Sequence, residues 1–375
     1  MVGTQREVEA LAQFRGRCAG TDAERRAAGH LRNQLTDMGR EADLQSIRVW
    51  PRFGVAHALH ALLAVVGSVV AVSAPAPGSA LVLLAVLLTF LDAAGYLQVV
   101  RAVLGGRASQ NVESRENTDK PGVLVVTAGY DAPRESGALG LSTRLLRDPW
   151  LAMTAFMLVI LVCGAVRLAG IDSIVVTAVQ FVPTVLLILI IPALIDVHLS
   201  GAGEDRAGAG AVVTTLRLAE DLGGQLEHFD LWVVLTGANQ PFALGMAAWL
   251  RRRRKELDRQ STAVVSIGAV GSAPVRYTRR EGPIFSQRSH RNLVRLSREV
   301  AEDAAGQDAS EVRAYVSREP SNAARAISRG LPSITLSTAG REAADDDALD
   351  RLHAFAREVI ERLDAEVGPS LRSGE

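Results

Sequence analysis

The sequence predicts an α/β fold, a mostly parallel sheet with helices on both faces, interrupted by two transmembrane helical hairpins. Two observations predict it. Short apolar runs such as Val123–Thr127, Leu231–Leu235 and Ala263–Ile267 alternate with helical patterns, the order expected of parallel strands joined by covering helices. Four much longer apolar stretches come in two pairs, each stretch near the roughly twenty residues that a helix needs to cross a bilayer.

The chain opens with an amphipathic helical pattern. Thr21 then stands as an N-cap with Glu24 three residues on, a capping box for a second helix that reaches about Met38 and ends at Gly39. Ala42–Val49 reads as extended. The first pair of spans follows, Val55–Ala74 and Ser79–Val99, with Pro75-Ala76-Pro77-Gly78 as a tight turn between them. After the strand Val123–Thr127 comes the second pair, Pro149–Ala169 and Ser173–Ile195, joined through Gly170-Ile171-Asp172. The segment Leu186–Ile191 has no polar stripe, unlike the face of a core helix in a soluble domain.

Beyond the spans the alternation resumes. A helix over Gly210–Leu222 precedes the strand Leu231–Leu235, and a helix over Phe242–Leu257 precedes the strand Ala263–Ile267. A helix at His290–Ala305, a strand at Val312–Val316, a short helix at Asn322–Ser328, a strand at Ser333–Leu336 and a closing helix at Asp345–Glu366 complete the pattern. The chain therefore divides into soluble parts 1–54, 100–148 and 196–375, separated by hairpins 55–99 and 149–195. Since each hairpin returns to the side it left, all soluble parts share one face.

Composition agrees. Of 375 residues, 48% are hydrophobic and 22% charged, so the apolar residues are concentrated in the spans. Lys+Arg and Asp+Glu balance at 41 each, which gives no polyanion-binding signal and argues against a nucleic-acid partner. The two cysteines, Cys18 in a polar helical region and Cys163 in an apolar run, are not expected to pair, and no Cys-x-x-Cys motif offers a structural zinc site. The charged first fifty residues lack a signal core. Arg48, Arg52, Arg101, Arg107, Arg144, Arg147 and Arg206 flank the spans on the soluble side, against Arg167 alone in the far loops. That bias predicts a multi-pass protein of the cell membrane with a cytoplasmic soluble domain.

Polar residues within or near the spans are His57, His60, Asp92, Gln180, Asp196 and His198. Ionisable groups in a membrane are functional candidates by default. His57, His60, Asp196 and His198 lie close to span ends, where water is expected. Asp92 is deeper, and either pairs with a neighbouring helix or serves a transport function of the four spans. Pro183 and Pro192 are expected to kink the fourth span.

The soluble parts resemble metallopeptidase family 28, the zinc aminopeptidase and glutamate-carboxypeptidase-like group. Arg15-Gly16-Arg17-Cys18-Ala19-Gly20-Thr21 looks like its entry segment, and Ser109–Glu113 with Gly122–Val126 like its second and third strands. Ser200-Gly201-Ala202-Gly203-Glu204-Asp205 looks like its central turn, and Ala324–Ala326 with Gly330–Ile334 like its late helix and strand. The resemblance implies a zinc-aminopeptidase-like fold and a pair of zinc ions, bridged by a carboxylate, with a Glu that deprotonates water.

The positions implied by the resemblance are largely empty of ligands. Where the family has His-x-Asp, this chain has Gly129-Tyr130-Asp131, so the orienting Asp131 remains without the ligand. Asp205 matches the bridging Asp, followed by Arg206. No carboxylate occurs in Thr236–Gln240, where a Glu-Glu pair is expected, and none in Ser266–Ala269. Leu336–Gly340 has no His. One ligand of five survives, and a neutral amide such as Gln240 cannot act as base. Arg206 is the candidate to replace the lost metal charge, pairing with Asp205 or Glu204.

The function expected is therefore a non-catalytic binding or scaffolding module at the membrane surface, a pseudoenzyme without cofactor. Its partners would be the bilayer and a lipid headgroup or membrane-protein segment in the cleft. The alternative is an active zinc peptidase with relocated ligands, for which Asp196, His198, Glu204 and Asp205 are the candidates, with Asp131 and His290 nearby. Arg251–Lys255 is a basic run that suits a helix C-terminus or anionic lipid.

Overall fold

The fold is described from a computed structural model, over residues 2–93, 98–134, 149–201, 203–240, 242–282, 286–305, 312–319, 321–339 and 345–371. The chain forms two compact units: Met1–Val49 with Ala108–Pro133 and Ala202–Glu375, and Trp50–Arg107 with Arg134–Gly201.

Among the described residues, the first unit is built on nine strands. In chain order these are β1 (Ala42–Val49), β2 (Arg107–Arg115), β3 (Gly122–Gly129), β4 (Phe229–Thr236), β5 (Thr262–Ile267), β6 (Val275–Glu281), β7 (Gln287–Arg288), β8 (Arg313–Ser317) and β9 (Ser333–Thr338). Their order in the sheet is β1-β2-β4-β3-β5-β9-β6-β7, with β8 paired to β6. The central strands β4, β3, β5 and β9 are parallel. The expected mostly parallel sheet is in fact mixed, because β2 runs antiparallel to β4 and β6 antiparallel to β9 and β7.

Burial explains the central strands. Every residue of β4, β5 and β9 is buried, as in sheets covered on both faces. Alternate residues enter opposite cores. Leu124, Val126, Leu231, Val233, Val265 and Ile334 join one cluster, and Val125, Trp232, Val234 and Val264 join the other. The first core is covered by α1 (Val2–Ala12), α2 (Asp22–Asp37), α8 (Arg206–Leu222), α10 (Arg291–Ala305) and α12 (Asp346–Arg362), which continues as a π-helical turn, Leu363–Val367. The second is covered by α9 (Leu244–Arg252) and α11 (Asn322–Ile327). Helix α9 is shorter than the expected Phe242–Leu257.

Thr21 caps α2 as expected, its Oγ1 accepting from the Glu24 amide at 3.2 Å. The Glu24 carboxylate, however, accepts from Gly20 N at 2.6 Å and not from Thr21. Strand β6 escaped sequence reading because Arg276, Arg279, Arg280 and Glu281 hide its two-residue period.

The second unit contains α3 (Phe53–Ser73), α4 (Pro75–Ala93), the short α5 (Val99–Val103), α6 (Pro149–Leu168) and α7 (Ile174–Leu199). Four of these are long and apolar enough to cross a membrane: α3, α4, α7 and Leu151–Leu168 of α6. Residues 75–78, expected as a turn, are the first turn of α4. Only Ala74 separates it from α3, and prolines are tolerated where the amides have no helical partner.

The bundle interior is made of small residues. Ala61, Ala64, Gly67, Ser68 and Ala71 of α3 are buried, while Leu62, Val66, Val69 and Val72 point outward. A Cβ on Gly78 would sit 2.2 Å from Ala71 N, and one on Gly67 would sit 2.9 Å from Gly78 O, so the α3 and α4 backbones touch. Such contacts are the packing mode of helices in lipid.

Candidate functional site

The parallel strands β3, β4, β5 and β9 bring their carboxyl ends to one edge, where open α/β sheets bind ligands. Register pairs Gly129 with Thr236, so Tyr130-Asp131 and Gly237–Gln240 emerge side by side.

Asp131 is buried and both its oxygens are engaged: Oδ1 accepts from Asn239 N at 2.7 Å and Oδ2 from Gln240 N at 3.0 Å. Ala238, left-handed at φ 46°, forms the turn from which these successive amides converge. Its own amide donates to Glu24 Oε1 at 2.9 Å, which also accepts from Ser109 Oγ at 2.6 Å. Burial pushes the Asp131 carboxyl well above the usual range, reinforced by the charge of Glu24 and opposed by the two amides. Glu24 is raised by burial as well, opposed first by its Ser109 hydrogen bond.

Over Gly129, at the end of β3, the space is filled. A Cβ on Gly129 would meet Asn239 Nδ2 at 2.4 Å and Asn239 Cβ at 2.7 Å. After β5, a Cβ on Gly268 would meet Ser337 Cβ at 2.9 Å.

Asp205 caps α8, its Oδ1 accepting from Gly208 N at 2.9 Å. The cation beside it is Arg17, only 1% exposed. Arg17 donates from Nε to Tyr130 O at 2.8 Å, from Nη1 to Leu11 O at 3.3 Å and from Nη2 to Asp205 O at 2.7 Å, with Nη2 3.9 Å from Asp205 Oδ2. The guanidinium thus clamps the β3 exit to the start of α8. Burial raises the Asp205 carboxyl, opposed by the Gly208 amide and then by Arg17. Arg206 lies beside Glu204, one of the two carboxylates expected to pair with it. It is half-exposed and 3.7 Å from Glu204, which also pairs with Arg15 at 3.1 Å. Arg17 stood in the quoted entry segment, but its partners lie far along the chain, out of reach of a local pattern.

The relocated candidates fall in different units. Asp196 and His198 belong to helix α7, not to an extended stretch, and residues two apart on a helix face different ways. Glu204 and Asp205 precede α8 in the other unit. His290 donates its amide to Ser333 O at 3.1 Å, at the start of β9 and so at the opposite sheet edge. A zinc pair requires several N and O donors with an open position, and the described residues at this edge do not fit it. Gly129 and Gly268 have no room for a side chain, and Asp131 and Asp205 are bound to backbone amides. The Arg251–Lys255 run is also divided in role. Arg253 pairs with buried Glu113, which holds the guanidinium above its ordinary value, while Trp249 Nε1 donates to the same carboxylate at 2.6 Å.

Among the described residues, the group of three His, Cys, Asp or Glu side chains within ligating reach lies elsewhere: His57, His60 and Asp92 in the bundle. All three are about 2% exposed, which corrects the expectation of water around the two histidines. Asp92 pairs across helices, with His57 Nε2 at 3.0 Å and Arg101 Nε at 2.8 Å.

No family model matches the sequence, and no curated protein does. Solved structures do match. A Zn-dependent exopeptidase from Parabacteroides distasonis superposes with TM-score 0.52 at 10% identity over 97% of each chain. An aminopeptidase from Aneurinibacillus sp. strain AM-1 gives 0.53 at 11%, covering 96% of this chain and 92% of its own. A glutaminyl cyclase from Tannerella forsythia gives 0.55 at 11%, covering 96% and 97%. The likeness is one of fold: a mixed α/β aminopeptidase-like architecture.

Proposed function

We propose that this chain is a multi-pass membrane protein carrying a degenerate, family-28-type peptidase domain that binds or scaffolds at the cytoplasmic membrane surface and does not hydrolyse peptides. The observation that carries the reading is the occupation of the strand-end site by the chain itself. Asn239 fills the space over Gly129, and its amide, with that of Gln240, takes both oxygens of Asp131. Without a general base or a set of metal donors, water is not activated.

Membrane residence is supported by the surface of the second unit. Among the described residues, all exposed large hydrophobics except Leu44, Val99, Val103, Ile171 and Val316 lie on the four long helices. At about 1.5 Å per residue, α3 and α4 approach the roughly 30 Å of a bilayer core. Asp131 and Asp205 flank the second pair of apolar helices in sequence, which supports a lipid headgroup or a membrane-protein segment as ligand.

The test uses the full chain in mild detergent. Aminoacyl-4-nitroanilides are expected to remain uncleaved with or without added zinc. Hydrolysis that disappears both with chelator and in Asp205→Asn would overturn the reading, and release of the chain from membranes by alkaline carbonate would overturn its membrane part.

A further inference from the structure

We infer that His57, His60 and Asp92 form a binding site for a first-row transition-metal ion inside the helical bundle, separate from the strand-end site. The donors come from two helices. His57 and His60, three apart on α3, project from one face, with ring centroids 5.8 Å apart, and Asp92 reaches them from the last turn of α4. One ligand atom from each residue lies within 4.8 Å of the other two, a spread that small side-chain rotations close to the separations of a tetrahedral site with bonds near 2 Å.

A second observation points to a ligand. His60 is 2% exposed, yet neither Nδ1 nor Nε2 has a hydrogen-bond partner. Asp92 Oδ1 also receives no aligned hydrogen bond, although Arg101 Nε is 2.8 Å away. Buried polar atoms are ordinarily satisfied, and an imidazole left without partners in an apolar bundle is a vacant donor. A metal ion satisfies His60 and the free Asp92 lone pair together.

Arg101 decides which ions fit. Its Nε also donates to Asp92 Oδ2 at 2.9 Å and its Nη2 to Asp92 O at 3.4 Å, so it orients the carboxylate as an outer-shell partner does. It also cancels the carboxylate charge. The site therefore has no net negative charge with which to hold magnesium or calcium, which take oxygen ligands, and must draw on imidazole affinity. That selects zinc, cobalt, nickel or copper. Three protein donors leave a fourth position for water or an added ligand.

The experiment equilibrates the full chain, in detergent and stripped by chelator, with cobalt(II) and with zinc(II), and with magnesium as control. Expected are about one ion per chain after dialysis, the visible absorption bands of four-coordinate cobalt, and a melting temperature raised by zinc but not by magnesium. Binding should weaken at least tenfold in His60→Leu and in Asp92→Asn, and be unchanged in Asp205→Asn, which keeps this result distinct from the strand-end site. Absence of the cobalt bands in the wild-type chain overturns the inference whatever the variants do. So does binding that survives His60→Leu in a folded variant, or binding lost in Asp205→Asn.

Discussion

Replacing Arg17 tests the claim that a built-in cation ties together the loops at the strand-end site. Its guanidinium is buried, donates to the carbonyls of Leu11, Tyr130 and Asp205, and lies 3.9 Å from the Asp205 carboxylate. Arg17→Ala leaves three buried acceptors without their charged donor and Asp205 without its counter-charge. Hydrogen bonds to charged groups contribute about 1.5–3 kcal/mol each, and breaking a buried pair costs about 3–5 kcal/mol in total, since the terms overlap. A loss of about 4 kcal/mol lowers the melting temperature of a domain this size by roughly 10 °C. Arg17→Lys should fall between, because one ammonium cannot match the three-way fork. The assay is thermal unfolding of the full chain in detergent, read through Trp232 and Trp249, which pack edge to face in the first unit. A shift under 2 °C for Arg17→Ala, or a Lys variant equal to wild type, refutes the clamp.

Gly78→Leu should disrupt the bundle, since even a Cβ would overlap Ala71 N, whereas Gly170→Ala meets only backbone strain at φ 83° in open space. Yield and melting temperature of the two variants should separate clearly, the first losing more than the roughly 1–3 kcal/mol of ordinary overpacking. Glu24, Asp131 and Asp205 all have carboxyls raised by burial. A carboxyl raised in the folded state contributes stability that is full below its unfolded value and lost as pH rises through the folded value. Urea stability should accordingly decline from pH 5 to pH 8, and Glu24→Gln should flatten that slope; a wild-type profile no steeper than the variant's contradicts the burial argument. Placing an imidazole at this strand end by Gly129→His should destabilise the fold without recruiting zinc, because Asn239 holds the space, and metal content that rises with this substitution would show the site to be open.

Much of the architecture was legible because it rests on local pattern. The apolar runs of β3, β4 and β5, the Thr21 cap and the Gly39 helix end follow from side-chain periodicity and backbone preference. The four long apolar helices follow from length and hydropathy alone. The antiparallel borders of the sheet were not legible, since direction depends on which strand each neighbour meets, and β6 carries its charges where a period of two is masked. The turn read at Pro75–Gly78 failed for a similar reason. Proline and glycine mark turns only when nothing encloses them, and here α3 packs so closely that glycine serves contact instead.

The sequence by itself determined which residue types stand at each strand end, because identity is a local property. Only the tertiary structure decided what surrounds them. Arg17 reaches Asp205 from 188 residues away, Asn239 closes over Gly129, and His57, His60 and Asp92 converge from two helices. Hydrogen bonds and ion pairs act over a few ångströms of space, and the fold alone sets which distant residues lie that close.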